Sequence, residues 1–507
     1  MFFALHAVHL TADFPNHSPW MDWAKYTDEG WYGDAAIRYF LRGNWYVSGD
    51  FNPAVALPVW PLLEAIVFSI FGVSLATARG LAIGVFGGIL LVTYLLLRRM
   101  RQGSLVPAVA VLLLAVSPFI YAFTRLAILE PLLILLTLLG LYAGSFLQPG
   151  ATGRARWLPA IALGIILPLM VLTKTTAVFL LPAIFWMVFA QSEYKWRATL
   201  RFALPAGVIA AAIWGGYFLL FVRPHYLADY RYLFSANSYT SFDKEPLWKV
   251  IVNTFRDGMW MGRASYFLVA IALGAVVLTH RKAWRNPLYV SLLLWVGGYF
   301  FFLAYHNNLQ PRYYLVIAVP LTILLAISLT LLSEDRAMVR GAAAAALTIV
   351  AVLHAAETVH YVRNPEYTYL NAARRIRSLI DADPRGNHLV LSISGSNLAL
   401  MTGLPAICDD FGTMALDQRV AAYKPGWFIT WNLVEDDKMD ALAPLYKLTR
   451  VAEYPALDDP ERNLLIVYRL DPKPTTPAPA KKRIRKRPQF MATSLRDGEA
   501  KVSLDDE

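Results

Sequence analysis

A single cysteine in 507 residues, Cys408, rules out an intrachain disulfide and leaves no CxxC pair or thiolate zinc pattern. Charge is scarce as well. Only 16% of the residues are charged and 57% are hydrophobic, whereas soluble domains carry about 25% charged residues. That balance argues against a soluble enzyme and for a polytopic membrane protein. HExxH, Walker A, GxSxG and GxGxxG patterns are all missing, which removes the usual signatures of zinc proteases, P-loop enzymes, serine hydrolases and dinucleotide binders. No internal repeat is visible and nothing in the sequence reads as a cleavable signal peptide. The net charge of +11 does not mark a nucleic-acid binder, because Lys and Arg are spread through short loops between apolar runs. Six more basic residues crowd into Lys481–Arg487.

Hydrophobic runs dominate what is present. They fall at 76–97, 104–122, 127–147, 157–173, 175–190, 202–222, 265–280, 287–305, 312–332 and 340–360, which predicts about 10–11 transmembrane helices. The run 55–72, broken by Pro58, Pro61 and Glu64, reads as a helix lying in the membrane interface. Residues 2–10 are apolar but fall short of the roughly 20 needed to span. They are either the outer end of a first span that begins outside this chain or a short terminus.

Sidedness follows from the basic loops. Arg98, Arg99 and Arg101 form one; Arg154 and Arg156 the next; then Lys195, Arg197 and Arg201; then Arg281, Lys282 and Arg285; then Arg336 and Arg340. These alternate along the chain, so one face carries them all and is expected to be cytoplasmic. The other face receives Asp28 and Glu29, the Arg125–Glu130 turn, Lys174, the loop 223–264, and His306, Asn307, Asn308 and Arg312. The expected location is the plasma (inner) membrane, multi-pass, with the site on the periplasmic face.

Composition shifts after about residue 361. TYLNAARRIRSLI reads as an amphipathic helix, and HLVLSIS, GWFITWNL and NLLIVYRL read as strands. The expected organisation is a helical membrane domain over 1–360 with an outer acidic loop at 13–75. A small C-terminal extracytoplasmic α/β domain follows over 361–471, then a disordered basic tail over 472–507. The tail's basic cluster is either a solvated run or a match for phosphate-rich lipid or glycan.

Polar residues at the edges of apolar runs carry the chemistry. Transfer of a sugar from a lipid phosphate needs a base, donors to the departing phosphate and a pocket that excludes water. In Tyr26-Thr27-Asp28-Glu29-Gly30, Asp28 or Glu29 is a candidate base; equally, Asp28 is well suited to cap a helix starting near Gly30. Arg125 and Glu130 either pair with each other across a turn, or grip phosphate and orient the acceptor or base, respectively. Lys174 is either a snorkelling lysine or an ammonium for a lipid phosphate, and Arg312 offers a second phosphate fork. Two adjacent carboxylates make a thin metal site.

The set Thr27-Asp28-Glu29-Gly30 with Ala35-Ala36, Pro58 to Pro61, Phe71-Gly72, Ala78-Arg79, Arg125 to Glu130, Leu172-Thr173-Lys174 and Pro311-Arg312-Tyr313 resembles the GT-C superfamily of membrane glycosyltransferases. The likeness is to protein O-mannosyltransferases (family 39) and lipid A aminoarabinose transferases. It covers residues 13 to about 332 and weakens beyond. The resemblance implies Asp28 as general base, Glu29 as its neighbour and Glu130 as a second acid where relatives often have Asp. It also implies Arg125, Lys174 and Arg312 as contacts to a polyprenyl phosphate. The implied reaction is inverting transfer of a sugar from a polyprenyl-phosphate donor to an extracytoplasmic protein, lipid or cell-envelope glycan. It implies no tightly bound cofactor and leaves a divalent metal open. A transporter or flippase of lipid-linked sugars and a non-catalytic membrane receptor share the same hydrophobic layout.

Overall fold

The computed structural model describes residues 1–20, 28–148, 150, 153–236, 245–306, 310–334, 337–392, 395–432, 436–458 and 462–474. Tyr26, Thr27, Asn307, Asn308, Arg336, the side chain of Arg156 and the basic cluster of the tail lie outside the described residues.

Each of the ten apolar runs forms helix. Among the described residues six helices are long and apolar enough to cross a membrane: Leu75–Arg99, Gly153–Thr173, Trp196–His225, Pro287–Tyr305, Pro311–Ser333 and Ala337–Asp381, the last continuing into the α/β unit. Two bent pairs among the described residues are also apolar enough, each a broken span or a re-entrant loop. Leu105–Val116 turns by 67° into Pro118–Thr124, where Pro118 lacks an N–H and Ser117 caps the second arm through Ile120 N. Leu247–Met261 turns by 118° into Arg263–Thr279, and Gly262 at the corner has φ +109, a conformation that glycine adopts without strain. Leu129–Gly144 and Thr175–Gln191 are shorter apolar helices, and Val59–Phe71 occupies the run read as interfacial. Pro159, Pro168, Pro205 and Pro320 sit inside helices, as membrane bundles tolerate.

One helix organises the bundle. Pro311–Ser333 is 83% buried, against 56% or less for the other long helices. Its first turn, Pro311–Tyr314, therefore delivers Arg312 to the centre of one end of the bundle.

Beyond Arg363 the chain forms a five-stranded sheet of order β2-β1-β3-β5-β4, from Val390–Ser392 (β1), Ala406–Cys408 (β2), Trp427–Trp431 (β3), Tyr446–Pro455 (β4) and Leu464–Pro472 (β5). β2, β1 and β3 run parallel, while β5 is antiparallel to both β3 and β4. Every residue of β3 is buried, as a central strand covered on both faces requires.

Candidate active site

Four elements bring one polar side chain each to the same end of the bundle. Asp28 is the first residue of the helix Asp28–Arg42, called here the acidic helix. Glu130 lies in the first turn of Leu129–Gly144. Lys174 separates Gly153–Thr173 from the turn Thr175–Leu180, and Arg312 opens the central helix. Helix ends suit such groups, because first-turn N–H groups and last-turn carbonyls lack partners inside the helix.

The four side chains form one buried cluster. Arg312 Nη2 is 2.6 Å from Asp28 Oδ2, and Arg312 Nε is 3.8 Å from Glu130 Oε1. Lys174 Nζ pairs with that same Glu130 oxygen. The Tyr313 ring lies under both cations, 4.4 Å from Lys174 Nζ and 4.7 Å from Arg312 Cζ. Tyr32 Oη reaches Asp28 Oδ2 at 3.5 Å, and burial pushes its phenol well above its ordinary value. All four charged residues are at most 9% exposed. Two acids and two bases cancel formally, which is what makes such burial tolerable. Glu130 Oε2 is buried with no hydrogen-bond partner among the described residues. A buried, unused acceptor next to a cation pair is a costly arrangement and marks a place for a donor group.

Glu29 and Arg125 lie in a different network. Glu29 makes a bidentate pair with Arg79, Nε to Oε1 at 2.8 Å and Nη2 to Oε2 at 2.7 Å, and Glu29 Oε1 also accepts from Ala127 N at 3.0 Å. Arg79 goes on to donate to the carbonyls of Leu10 and Ala12. Arg125 donates to Val8 O at 3.0 Å, to His9 O at 2.6 Å and to the Tyr121 hydroxyl. Both arginines thus tie the N-terminal segment to the bundle. Arg125 ends one helix and Glu130 begins the next, with extended backbone at Ile128 between them, and Glu130 pairs with Lys174 instead. His306 stacks on Phe302 at 5.2 Å and lies 5.8 Å from the Tyr313 ring.

Several polar residues around the site drew no reading from sequence. Asp34 and Arg38 pair at 2.7 Å, a spacing of four along a helix that is a usable signal. Arg38 also meets Asp50 at 2.7 Å, and Asp50 meets Arg419 of the α/β unit at 3.0 Å. Burial outweighs the pull of Arg38, which Asp34 shares with Asp50, and raises the Asp34 carboxyl to about 8. Glu64 was visible only as an acid interrupting an apolar run. It is fully buried against Gly33 of the acidic helix, with no hydrogen-bond partner for either oxygen among the described residues. No group of three or more His, Cys, Asp or Glu suited to a metal occurs among the described residues.

Residues 53–215 match the family model described as dolichyl-phosphate-mannose-protein mannosyltransferase. That stretch contains Glu130 and Lys174 but neither Asp28 nor Arg312. No curated protein sequence matches the chain. Among solved structures, ArnT from Cupriavidus metallidurans bound to undecaprenyl phosphate superposes with a TM-score of 0.63 at 15% identity, covering 92% of this chain and 96% of that one. Its apo state gives the same TM-score at 14% identity. The Archaeoglobus fulgidus oligosaccharyltransferase in complex with Zn and sulfate gives 0.51 at 16% identity, covering 85% of this chain and 68% of that one. The chain is thus a multi-pass membrane protein with the GT-C fold, the fold of a superfamily of membrane glycosyltransferases.

Proposed function

We propose that this chain transfers a sugar from a polyprenyl-phosphate donor to an extracytoplasmic acceptor, with inversion at the anomeric carbon. The observation that carries the reading is the cluster of Asp28, Glu130, Lys174 and Arg312 at one end of the bundle. Asp28 takes the proton from the acceptor hydroxyl or amine as that atom attacks the anomeric carbon. The bond from that carbon to the phosphate oxygen breaks, and the lipid phosphate leaves with the bonding electrons. Lys174 and Arg312 then hold the developing negative charge, Arg312 as a planar fork and Lys174 as a point charge. Glu130 orients Lys174 through one oxygen and offers the other to the acceptor. The two acids neutralise the two cations, and a donor phosphate takes over that role. The ArnT structure with undecaprenyl phosphate supports a lipid phosphate as the donor's anchor. The basic loops support placing this end of the bundle on the periplasmic face of the plasma (inner) membrane.

The chain then divides into a membrane unit over 1–360 and an outer α/β unit over 361–471 that covers the site or recognises the acceptor. Protein, lipid and cell-envelope glycan are all acceptors with the required hydroxyl or amine. Membranes containing the protein, incubated with a panel of radiolabelled polyprenyl-phosphate sugars, are expected to show acceptor-dependent transfer from at least one donor. Donors that all remain intact with every acceptor class would refute the reading.

A further inference from the structure

Gly30 lies in the first turn of the acidic helix, two residues after Asp28, and its N–H finds an acceptor outside that helix. The acceptor comes from the α/β unit, where Asn397 Oδ1 receives it at 3.2 Å. Asn397 lies in the first turn of the helix Gly395–Thr402, called here the clamp helix. Contact between the two first turns is tighter than the hydrogen bond alone implies. A Cβ on Gly30 would stand 2.1 Å from Asn397 N and 2.4 Å from the Ser396 carbonyl carbon, so a side chain at position 30 would force the two helices apart. Asn397 is itself only 4% exposed. Its Nδ2 donates to Tyr369 Oη at 3.0 Å, and the Tyr369 backbone N–H donates to Asp13 Oδ2 at 2.9 Å. The clamp is therefore anchored at its far side as well.

We infer that Asn397 is a positioning residue for Asp28. The α/β unit holds Gly30 from outside, two residues from the proposed base, and so fixes where that carboxylate points. Loss of that hold lets the first turn shift, and a misplacement of about 1 Å costs on the order of 100-fold in rate. The inference rests on the role given to Asp28 in the proposed transfer.

The test uses Asn397→Ala and Asn397→Asp in the full chain in membranes. Asn397→Ala is expected to lower kcat by about 10- to 100-fold, with KM for the polyprenyl-phosphate sugar and thermal stability close to wild type. Asn397→Asp keeps the acceptor oxygen and the shape but adds a negative charge at the Gly30 N–H, two residues from Asp28. It is expected to recover much of kcat while moving the acidic limb of the pH–rate profile up by about one unit. Unchanged kcat in Asn397→Ala overturns the inference. So does a joint loss of stability and kcat with an unmoved acidic limb in Asn397→Asp, which is the pattern of a merely structural contact. Difference infrared spectra against Asp28→Asn follow the Asp28 carboxylate without turnover and separate the two levels. A band shifted by Asn397→Asp in a protein that turns over no donor keeps the clamp and removes the transfer reading. An unshifted band in an active enzyme removes the clamp alone.

Discussion

Asp28 and Glu29 are neighbours in sequence but about 100° apart around their helix, and that rotation sends one carboxylate to Arg312 and the other to Arg79. The charges at the edges of apolar runs were legible in the sequence because a buried charge next to hydrophobic residues is conspicuous. Their pairings were not. Glu29 meets Arg79 from 50 positions away, and no local spacing announces such a contact. Lys174 illustrates what pairing decides. With its Nζ on Glu130 and over Tyr313 it is a fixed cation, no longer a lysine free to reach for solvent. Replacing it by Gln is expected to weaken binding of polyprenyl phosphate by roughly 10- to 100-fold, the loss of one charge-assisted hydrogen bond of about 1.5–3 kcal/mol. The thermal stabilisation of the protein as a function of added polyprenyl phosphate reads that affinity. Unaltered stabilisation would take Lys174 off the phosphate.

Among the elements, the acidic helix carries the most consequence, since its first turn holds Asp28 and its next turn holds Asp34, which pairs with Arg38 one turn further on. The helix and its polar start were legible, and so were the amphipathic Thr368–Asp381 helix and three of the strands. β2 is three residues long and β4 mixes Lys447, Thr449, Arg450 and Glu453 with apolar side chains at a sheet edge, so neither gives the apolar run of a central strand. Two predictions belong here. Gly30→Ala would drive a methyl into the Asn397 backbone, so the variant is expected to lose both thermal stability and transfer activity. A wild-type melting temperature would refute the close approach. Asp34, with its carboxyl raised to about 8, holds a proton in the folded protein that the unfolded chain releases near pH 4. Its contribution is complete below about pH 4 and fades as pH rises through about 8. Melting temperature in detergent should therefore fall between pH 5 and 8.5, and Asp34→Asn should flatten that slope. An equally steep slope in the variant would place the titration elsewhere.

For the whole molecule, the arrangement joins a membrane bundle to an α/β unit through buried polar contacts. Asp50 is the bolt. It accepts from Arg38 on the acidic helix, from Arg419 and from the backbone N–H of Cys408. Sequence gave no hint of it, because Asp50 and Arg419 are 369 positions apart and each looks like an ordinary surface charge. The bent helices were also out of reach of hydropathy, which counts apolar residues and is blind to a corner such as Gly262. A transporter would place its ionisable groups along the span centres; here Asp28, Glu130 and Arg312 sit in the first turns of their helices. Cys408, 2% exposed and with its thiol pushed up to about 12 by burial, reports on the bolt. It is expected to resist maleimide in the folded wild type and to label readily in Asp50→Asn. Rapid labelling of wild type would contradict the docked arrangement.

The central claim is that two adjacent acids divide the work, Asp28 on the reacting atoms and Glu29 in the frame. Transfer kinetics and melting temperature of Asp28→Asn and Glu29→Gln, measured side by side, test it most directly. The prediction is a fall in kcat of about 100-fold or more for Asp28→Asn with the fold retained, and a drop in melting temperature for Glu29→Gln. Full transfer activity in a folded Asp28→Asn protein would contradict it.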